Sequence, residues 1–161
     1  MQQKFYFEYE SFDEISSLNE SDASLLQAAR KVTAAAYAPY SGFKVGAVAK
    51  LANGATVSGT NQENASYPIG ICAERVLLSA ASSLYPGIPI ETMAISYFNE
   101  KGTSNKPVTP CGICRQSMTE YQTRFQQPIR LILSGQEGKI IVIPSADQLL
   151  PLGFSGDDLL S

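Results

Sequence analysis

Three cysteines carry whatever metal or thiol chemistry this chain can perform: Cys72, Cys111 and Cys114, in 161 residues that include no histidine. Cys111 and Cys114 stand three apart at the start of a predicted helix. That spacing puts both thiols on one face, within reach of one tetrahedral ion. A helix N-terminus carries partial positive charge, which favours thiolates, and Cys72 opens a second predicted helix with the same help. Three protein ligands leave a fourth position for water, as in a catalytic rather than a closed structural zinc site. Glu74 lies two residues past Cys72, where its carboxylate can sit beside a metal-bound water without ligating the ion. Zinc lowers the pKa of such a water, giving hydroxide near neutral pH, and Glu74 can carry the proton onward. Three thiolates make the zinc site formally anionic, and Arg75 is placed to donate hydrogen bonds to the sulfurs and draw charge away.

Other readings of these residues exist. The Cys111/Cys114 pair alone is equally a redox pair or half of a four-ligand structural site. Pro110-Cys-Gly-Ile-Cys114 lacks the preceding strand and nearby aromatic of a thioredoxin-like motif. A closed zinc site would need a fourth ligand, and the sequence holds no other cysteine or histidine. The block Cys72-Ala-Glu-Arg75 tips the balance to a catalytic metal. Glu74 in isolation would be an ordinary acidic residue of a first helical turn, and Arg75 a surface ion pair.

The elements that must position these groups can be read from periodicity and punctuation. Residues 4–9, Lys4-Phe-Tyr-Phe-Glu-Tyr9, read as a short added edge strand. Ser21-Asp22 can cap a helix over 23–37, with Leu25, Leu26, Ala29, Val32 and Ala36 on one side and Pro39 as its stop. Strands at 45–51 and 55–59 flank Asn53-Gly54, a tight-turn signal, and a loop rich in Asn, Ser and Pro follows at 61–70. A helix over 72–84 ends at Pro86-Gly87. A strand at 92–98 and a polar loop at 99–109 lead to Pro110 in the first turn of a helix over 111–125. Strands at 129–133 and 139–143 and a short helix at 146–150 complete the chain. Strands alternating with helices after a hairpin predict a three-layer α/β fold with a mixed sheet.

The length suits one domain with a single core. Twelve Lys and Arg against fifteen Asp and Glu leave a net charge of −3, which argues against a surface built to grip a nucleic-acid backbone. No stretch approaches the roughly 20 apolar residues of a membrane span, and Met1–Glu10 mix aromatics with charges, unlike a secretion signal. The expectation is a cytoplasmic protein, with neither nucleic acid nor membrane as partner and thiols kept reduced.

At this point the sequence resembles the small, three-cysteine class of cytidine deaminases over residues 24–160. The resemblance rests on Ala38-Pro-Tyr-Ser41, Phe43-Lys-Val-Gly46, Asn61-Gln-Glu-Asn64, Tyr67-Pro-Ile-Gly-Ile-Cys-Ala-Glu-Arg75 and Pro110-Cys-Gly-Ile-Cys-Arg-Gln116, in family order and spacing. It implies one zinc per chain on Cys72, Cys111 and Cys114, as zinc deaminases hold it, with Glu74 as the proton shuttle. The reaction implied is hydrolytic deamination of free cytidine and 2′-deoxycytidine at C4. Asn61 and Glu63 match positions that hydrogen-bond the ribose 3′-hydroxyl, and Phe43 the aromatic against the pyrimidine. The Ala73 N–H matches the contact to the 2-oxo group, and the Thr109 carbonyl the one near the departing amine. Gln116 resembles a supporting partner of the thiolates. Phe154, and with it Tyr67, resembles a residue that serves a neighbouring subunit's site. The family is homotetrameric, with a mixed five-stranded sheet between helices.

On that footing the chain is read as a single deaminase domain, 1–161, with an extension over 1–21 that adds an N-terminal strand, and a catalytic core over 22–161. Val76 stands where the family often has Thr, and Gln62 where Ile is common. The competing substrates are a cytosine-nucleoside antibiotic, deoxycytidylate and cytosine in nucleic acid; a non-enzymatic zinc-stabilised domain is a further alternative. A 5′-phosphate or a polynucleotide would call for basic residues that the loops near these motifs largely lack.

Overall fold

The structure is a computed structural model that describes residues 1–160. Its centre is a mixed sheet of six strands in the order β1-β6-β5-β4-β2-β3. These are β1 (Glu10–Phe12), β2 (Phe43–Leu51), β3 (Thr56–Thr60), β4 (Ile90–Asn99), β5 (Arg130–Ser134) and β6 (Ile140–Ile143). Only β4 and β5 run parallel; every other neighbouring pair is antiparallel. Parallel neighbours need a crossover, and α3 (Gly112–Phe125) supplies it.

Side-chain alternation sorts the sheet into two faces. Ala47, Ala49, Leu51, Met93, Ile95, Leu131 and Leu133 bury against α2 (Ala73–Leu84) and α3. Val48, Ala94, Ile132, Ile140 and Val142 bury on the other face with Leu25, Leu26 and Ala29 of α1 (Glu20–Val32). The result is the three-layer α/β sandwich that the element order predicts. Gly59 explains how β3 and α2 come so close: a Cβ there would run into the Ala73 carbonyl and the Leu77 amide. The first turn of α2, which carries Glu74, is thereby pressed directly onto the sheet.

The five-stranded core is extended to six by an N-terminal strand, but at Glu10–Phe12 rather than residues 4–9. The partner decides this. In the β1–β6 ladder Glu10 lies opposite Val142, so Glu8 would fall opposite Pro144, which has no N–H to give. The high strand propensity of Phe5, Tyr6 and Phe7 has no backbone to pair with.

Helix α1 also differs from expectation at both ends. Asn19, not Ser21-Asp22, is the N-cap: its Oδ1 accepts the Asp22 N–H at 2.9 Å while its Nδ2 donates to the Asp22 carboxylate at 2.7 Å. The helix stops at Val32, followed by a 3-10 turn over Thr33–Ala35. The chain must straighten before Pro39, and Tyr37 then exchanges backbone hydrogen bonds with Asn61 and Glu63. The segment 36–42 is thus laid beside the 61–63 loop.

Candidate metal centre

Cys72 and Cys111 are each the N-cap residue of a helix, α2 and α3, one position earlier than the first-turn placement read from sequence. Pro110 accordingly precedes the cap. Extended backbone at both cysteines (ψ 153° and 168°) turns the two thiols inward, and Cys114, fully buried in the first turn of α3, meets them. The sulfurs of Cys72 and Cys111 are 3.7 Å apart and those of Cys111 and Cys114 3.5 Å. Zinc–sulfur bonds of about 2.3 Å in a tetrahedron require sulfurs about 3.8 Å apart, so the three thiols fit a zinc ion with little rearrangement. Among the described residues this is the one grouping of His, Cys, Asp or Glu with metal-ligand geometry.

The electrostatics agree. Cys72 is held down to about 6, first by the hydrogen bond from the Cys114 thiol, against the effect of its burial and the Glu74 charge. Cys114 is pushed up, first by the same contact with Cys72 and then by burial. The two directions describe one shared proton: three thiols in contact carry fewer than three negative charges until a cation joins them. Arg75 is half-buried; its charge lowers Cys72, and its side chain lines the groove between α2 and α3.

Glu74 lies only 5% exposed at this centre. Burial pushes its carboxyl above the ordinary range, opposed by a backbone hydrogen bond and by the Cys114 thiol. A carboxyl tuned upward is the kind that can both take and give a proton near neutral pH.

A cavity of about 360 Å³ opens onto these groups. Cys72, Glu74 and Cys111 line it together with Phe43, Asn61, Glu63, Tyr67, Ala73 and Thr109. The sequence-separated blocks at 43, 61–67, 72–74 and 109–111 therefore converge on one hollow. Among the described residues that line it, the ionisable acids and bases apart from the thiols are Glu63, Glu74 and the phenol of Tyr67, with no Lys or Arg.

Two polar residues are already braced. Asn61 Oδ1 accepts from the Val45 N–H at 2.7 Å, and its Nδ2 donates to the Phe43 carbonyl at 2.9 Å. That leaves the amide one further N–H and one further lone pair. Glu63 Oε2 accepts from the Tyr40 and Ser41 N–H groups at 2.9 and 3.2 Å. Its carboxyl is held low, first by the Ser41 side chain, with these two amides and Lys101 assisting against desolvation. Glu63 is therefore a carboxylate fixed in place by its neighbours.

Three features were not foreseen. Tyr97, only 2% exposed, stacks on Phe43 with centroids 4.7 Å apart and ring planes 12° apart. Arg115 spans the Thr109–Pro110 segment and Leu149. Gln116 is committed to the C-terminal segment, its Nε2 donating to the Phe154 carbonyl at 2.7 Å. Phe154 is 56% exposed and is not among the residues that line the cavity of its own chain.

Residues 19–126 match the family model described as the cytidine and deoxycytidylate deaminase zinc-binding region. The cytidine deaminase of Halalkalibacterium halodurans is 35% identical over 135 residues, covering 84% of this chain and 95% of its own length. That of Mycobacterium tuberculosis is 34% identical over 134 residues, covering 81% and 87%. The crystal structure of cytidine deaminase from Burkholderia pseudomallei superimposes with a TM-score of 0.71 at 35% identity, covering 85% of this chain and 100% of that one.

Proposed function

The chain belongs to the cytidine and deoxycytidylate deaminase family, and from that premise we propose that it hydrolyses free cytidine and 2′-deoxycytidine to uridine and 2′-deoxyuridine with release of ammonia, a pyrimidine-salvage reaction. The observation that carries the reading is the buried Glu74 beside three thiols at zinc-ligand spacing, in the lining of a cavity large enough for a nucleoside. Cys72, Cys111 and Cys114 would hold a zinc ion, which when bound would acidify a water for attack. Glu74 takes one proton from the attacking water and delivers it to N3 as the oxygen adds to C4; it then carries the second proton, from the hydroxyl now on C4, to the amine, which leaves as ammonia. Phe43, backed by Tyr97, supports the ring. The Ala73 N–H meets the 2-oxo group, and the Thr109 carbonyl receives the amine. Asn61, with its spare N–H and lone pair, and the fixed Glu63 carboxylate receive the ribose 3′-hydroxyl. The 2′ position is left free, so both sugars are accepted.

Charge supports the unphosphorylated substrate. Glu63 and Glu74 are both acids, and a 5′-phosphate brought into this cavity would meet no cation among the described residues that line it. A second reading has one observation in its favour. An adjoining cavity of about 420 Å³ shares Glu63, Tyr67 and Gly70 with the first, which gives room for a cytosine nucleoside enlarged at the sugar, as in an antibiotic. Turnover of cytidine, 2′-deoxycytidine, cytidine 5′-monophosphate and a sugar-extended cytosine nucleoside, compared by kcat/KM, tests both readings. Cytidine turned over more slowly than the extended nucleoside would overturn the first.

The oligomer belongs to the same proposal. We place this chain in a homotetramer whose sites lie at subunit interfaces, supported by the exposure of Phe154 and Tyr67, 56% and 74%. Among the described residues no helix is long and apolar enough to cross a membrane. A reducing cytoplasm is the compartment that suits three free thiols.

A further inference from the structure

Cys111 is the exposed member of the thiol cluster, and its side chain makes no capping bond to the helix it begins. What aims it is the backbone on either side, held by the start of the helix on one side and by the Arg115 side chain on the other. The Arg115 N–H donates to the Cys111 carbonyl at 3.0 Å. The Arg115 Nε donates to the Pro110 carbonyl at 2.8 Å. Of the two peptide planes that meet at the Cys111 Cα, the second is held by the helix's own first backbone bond, as at Cys72, and the first by the Arg115 side chain. The rest of the guanidinium reaches outward from the same point. Nη2 donates to Thr109 Oγ1 at 3.0 Å, and Nη1 donates to the Leu149 carbonyl at 3.0 Å.

Nothing about helix stability asks for an arginine here. Arg115 lies in the first turn of α3, where a cation is disfavoured by the helix dipole. Its planar fork is the shape needed to serve three acceptors in fixed directions, which a lysine ammonium on a flexible stem does poorly. The acceptors lie on two separate stretches, the 109–110 segment that walls the cavity and the 3-10 turn ending at Leu149 (Ala146–Leu149). One residue later on the same helix, Gln116 grips the C-terminal segment again at Phe154.

We propose that Arg115 is the positioning residue of the zinc centre: it fixes the Thr109–Pro110–Cys111 backbone that aims the Cys111 sulfur and ties that backbone to the C-terminal segment. The proposal rests on the zinc-deaminase reading above. Arg115 is not among the described residues that line the cavity, so it acts through Cys111 and Thr109. Its loss therefore loosens one ligand of three without removing any.

The test uses the purified zinc-loaded enzyme and two variants, Arg115→Gln and Arg115→Lys. Three quantities are measured: the rate of zinc transfer to an excess of a chromophoric chelator well below the melting temperature, kcat and KM for cytidine, and Tm in excess zinc. In Arg115→Gln, zinc transfer should quicken by about 10–100-fold, the range typical when a residue supporting a metal ligand is lost. Its kcat should fall by a similar factor, with KM within about threefold. Arg115→Lys keeps the charge but not the fork and should fall between the variant and the parent. If Arg115→Gln does not fold, Arg115→Lys decides alone. Zinc transfer within twofold of the parent overturns the proposal. So does a lowered Tm with unchanged zinc transfer and kcat, since a purely structural role would give that pattern. If the parent itself fails to turn over cytidine, the functional reading fails, and the chelator rates still decide the role of Arg115.

Discussion

Phe43 of β2 and Tyr97 of β4 stack nearly parallel, 4.7 Å between centroids, on the face of the sheet that carries the cavity. They are diagonal neighbours in the antiparallel ladder, since Val45 is the residue directly opposite Tyr97. Phe43 alone would be a half-buried ring free to tilt; Tyr97, nearly inaccessible, holds it flat. Aromatic pairs of this kind contribute about 0.5–1.5 kcal/mol beyond their buried area. Tyr97→Leu keeps bulk and removes the stacking surface. It should raise KM for cytidine by about 2–12-fold, that energy expressed as a ratio, with kcat little changed. An unchanged KM in a folded variant would mean that the stack does not support substrate.

Glu74→Gln separates proton transfer from metal binding. The amide is nearly isosteric and occupies the same buried site, so zinc content and Tm should hold. Turnover should drop at least ~10²-fold, the low end of what positioned proton transfer contributes. Cys111→Ala should behave oppositely and lose zinc during gentle purification, because no other cysteine or histidine can replace it. Elemental analysis and single-turnover assays on both variants check this. A Glu74→Gln enzyme with near-normal turnover removes Glu74 from the mechanism.

Far from the cavity, Asp22 and Arg130 form a bidentate pair, with both N–O distances 2.7 Å, that ties the first turn of α1 to the start of β5. Burial raises the Asp22 carboxyl, but the Arg130 hydrogen bonds and charge, with Asn19 assisting, outweigh it, so its pKa is net lowered. A lowered folded-state value contributes stability that is in place above the unfolded carboxyl's pKa of about 4 and is lost as pH falls through the folded value. Arg130 is a third exposed, so solvent screens part of the interaction. Asp22→Asn should cost about 2 kcal/mol at pH 7, below the figure for a fully buried broken pair. The gap between parent and variant in urea midpoint should close progressively below about pH 4. A gap that stays constant down to pH 3 would contradict the pairing.

Much of this centre is legible in the sequence because metal chemistry restricts residue types so severely. Three thiols and a carboxylate at the starts of two helices, in a chain with no histidine, leave few alternatives. Cys72 and Cys111 came out one residue from their predicted positions, which changes the cap but not the meeting of the sulfurs. What is hidden are contacts made through backbone atoms. The Asn61 clasp on β2, the Arg115 grip on Pro110 and Leu149, and the Gln116 bond to Phe154 all involve main-chain groups that carry no residue signature. Tyr97 was hidden for another reason. Its strand was readable, but its partnership with Phe43 depends on the register of two strands that are neighbours in the sheet yet far apart in sequence. The misplacement of β1 was similar: propensity favoured 4–9, and the proline at the end of its partner strand overruled it.

The N-terminal extension divides at Glu10. Phe5, Tyr6, Phe7 and Tyr9 are each at least 41% exposed. Phe12, Ile15 and Leu18 are partly buried against the core cluster that includes Ile132, Ile140 and Val142. Burying three apolar side chains by half contributes about 1 kcal/mol each. Deleting residues 1–9 should leave the urea midpoint nearly unchanged, whereas deleting 1–18 should cost about 3 kcal/mol and expose Ile140 and Val142 at a bare sheet edge. Equal stability of the two truncations would show that the second segment is not part of the core.

Phe154 is anchored by its backbone and left exposed. The Gln116 side chain fixes its carbonyl, Gly153 precedes it, and the residue is 56% exposed. An aromatic held in place yet left uncovered gains nothing within one chain, whereas in the proposed homotetramer it would close the cavity of an adjacent subunit. Sites built from more than one chain lose activity on dissociation, and they can also be complemented. Glu74→Gln chains keep Phe154 but cannot move the proton; Phe154→Ala chains keep Glu74 but cannot close a neighbour's cavity. After subunit exchange, some sites combine an intact Glu74 from one chain with an intact Phe154 from another. Activity of the mixture should then exceed the sum of the two separate variants, at an unchanged total concentration of chains. Native mass spectrometry must confirm that mixed oligomers form. Mixed oligomers with no gain would place Phe154 on its own domain, as a tether for the C-terminal segment.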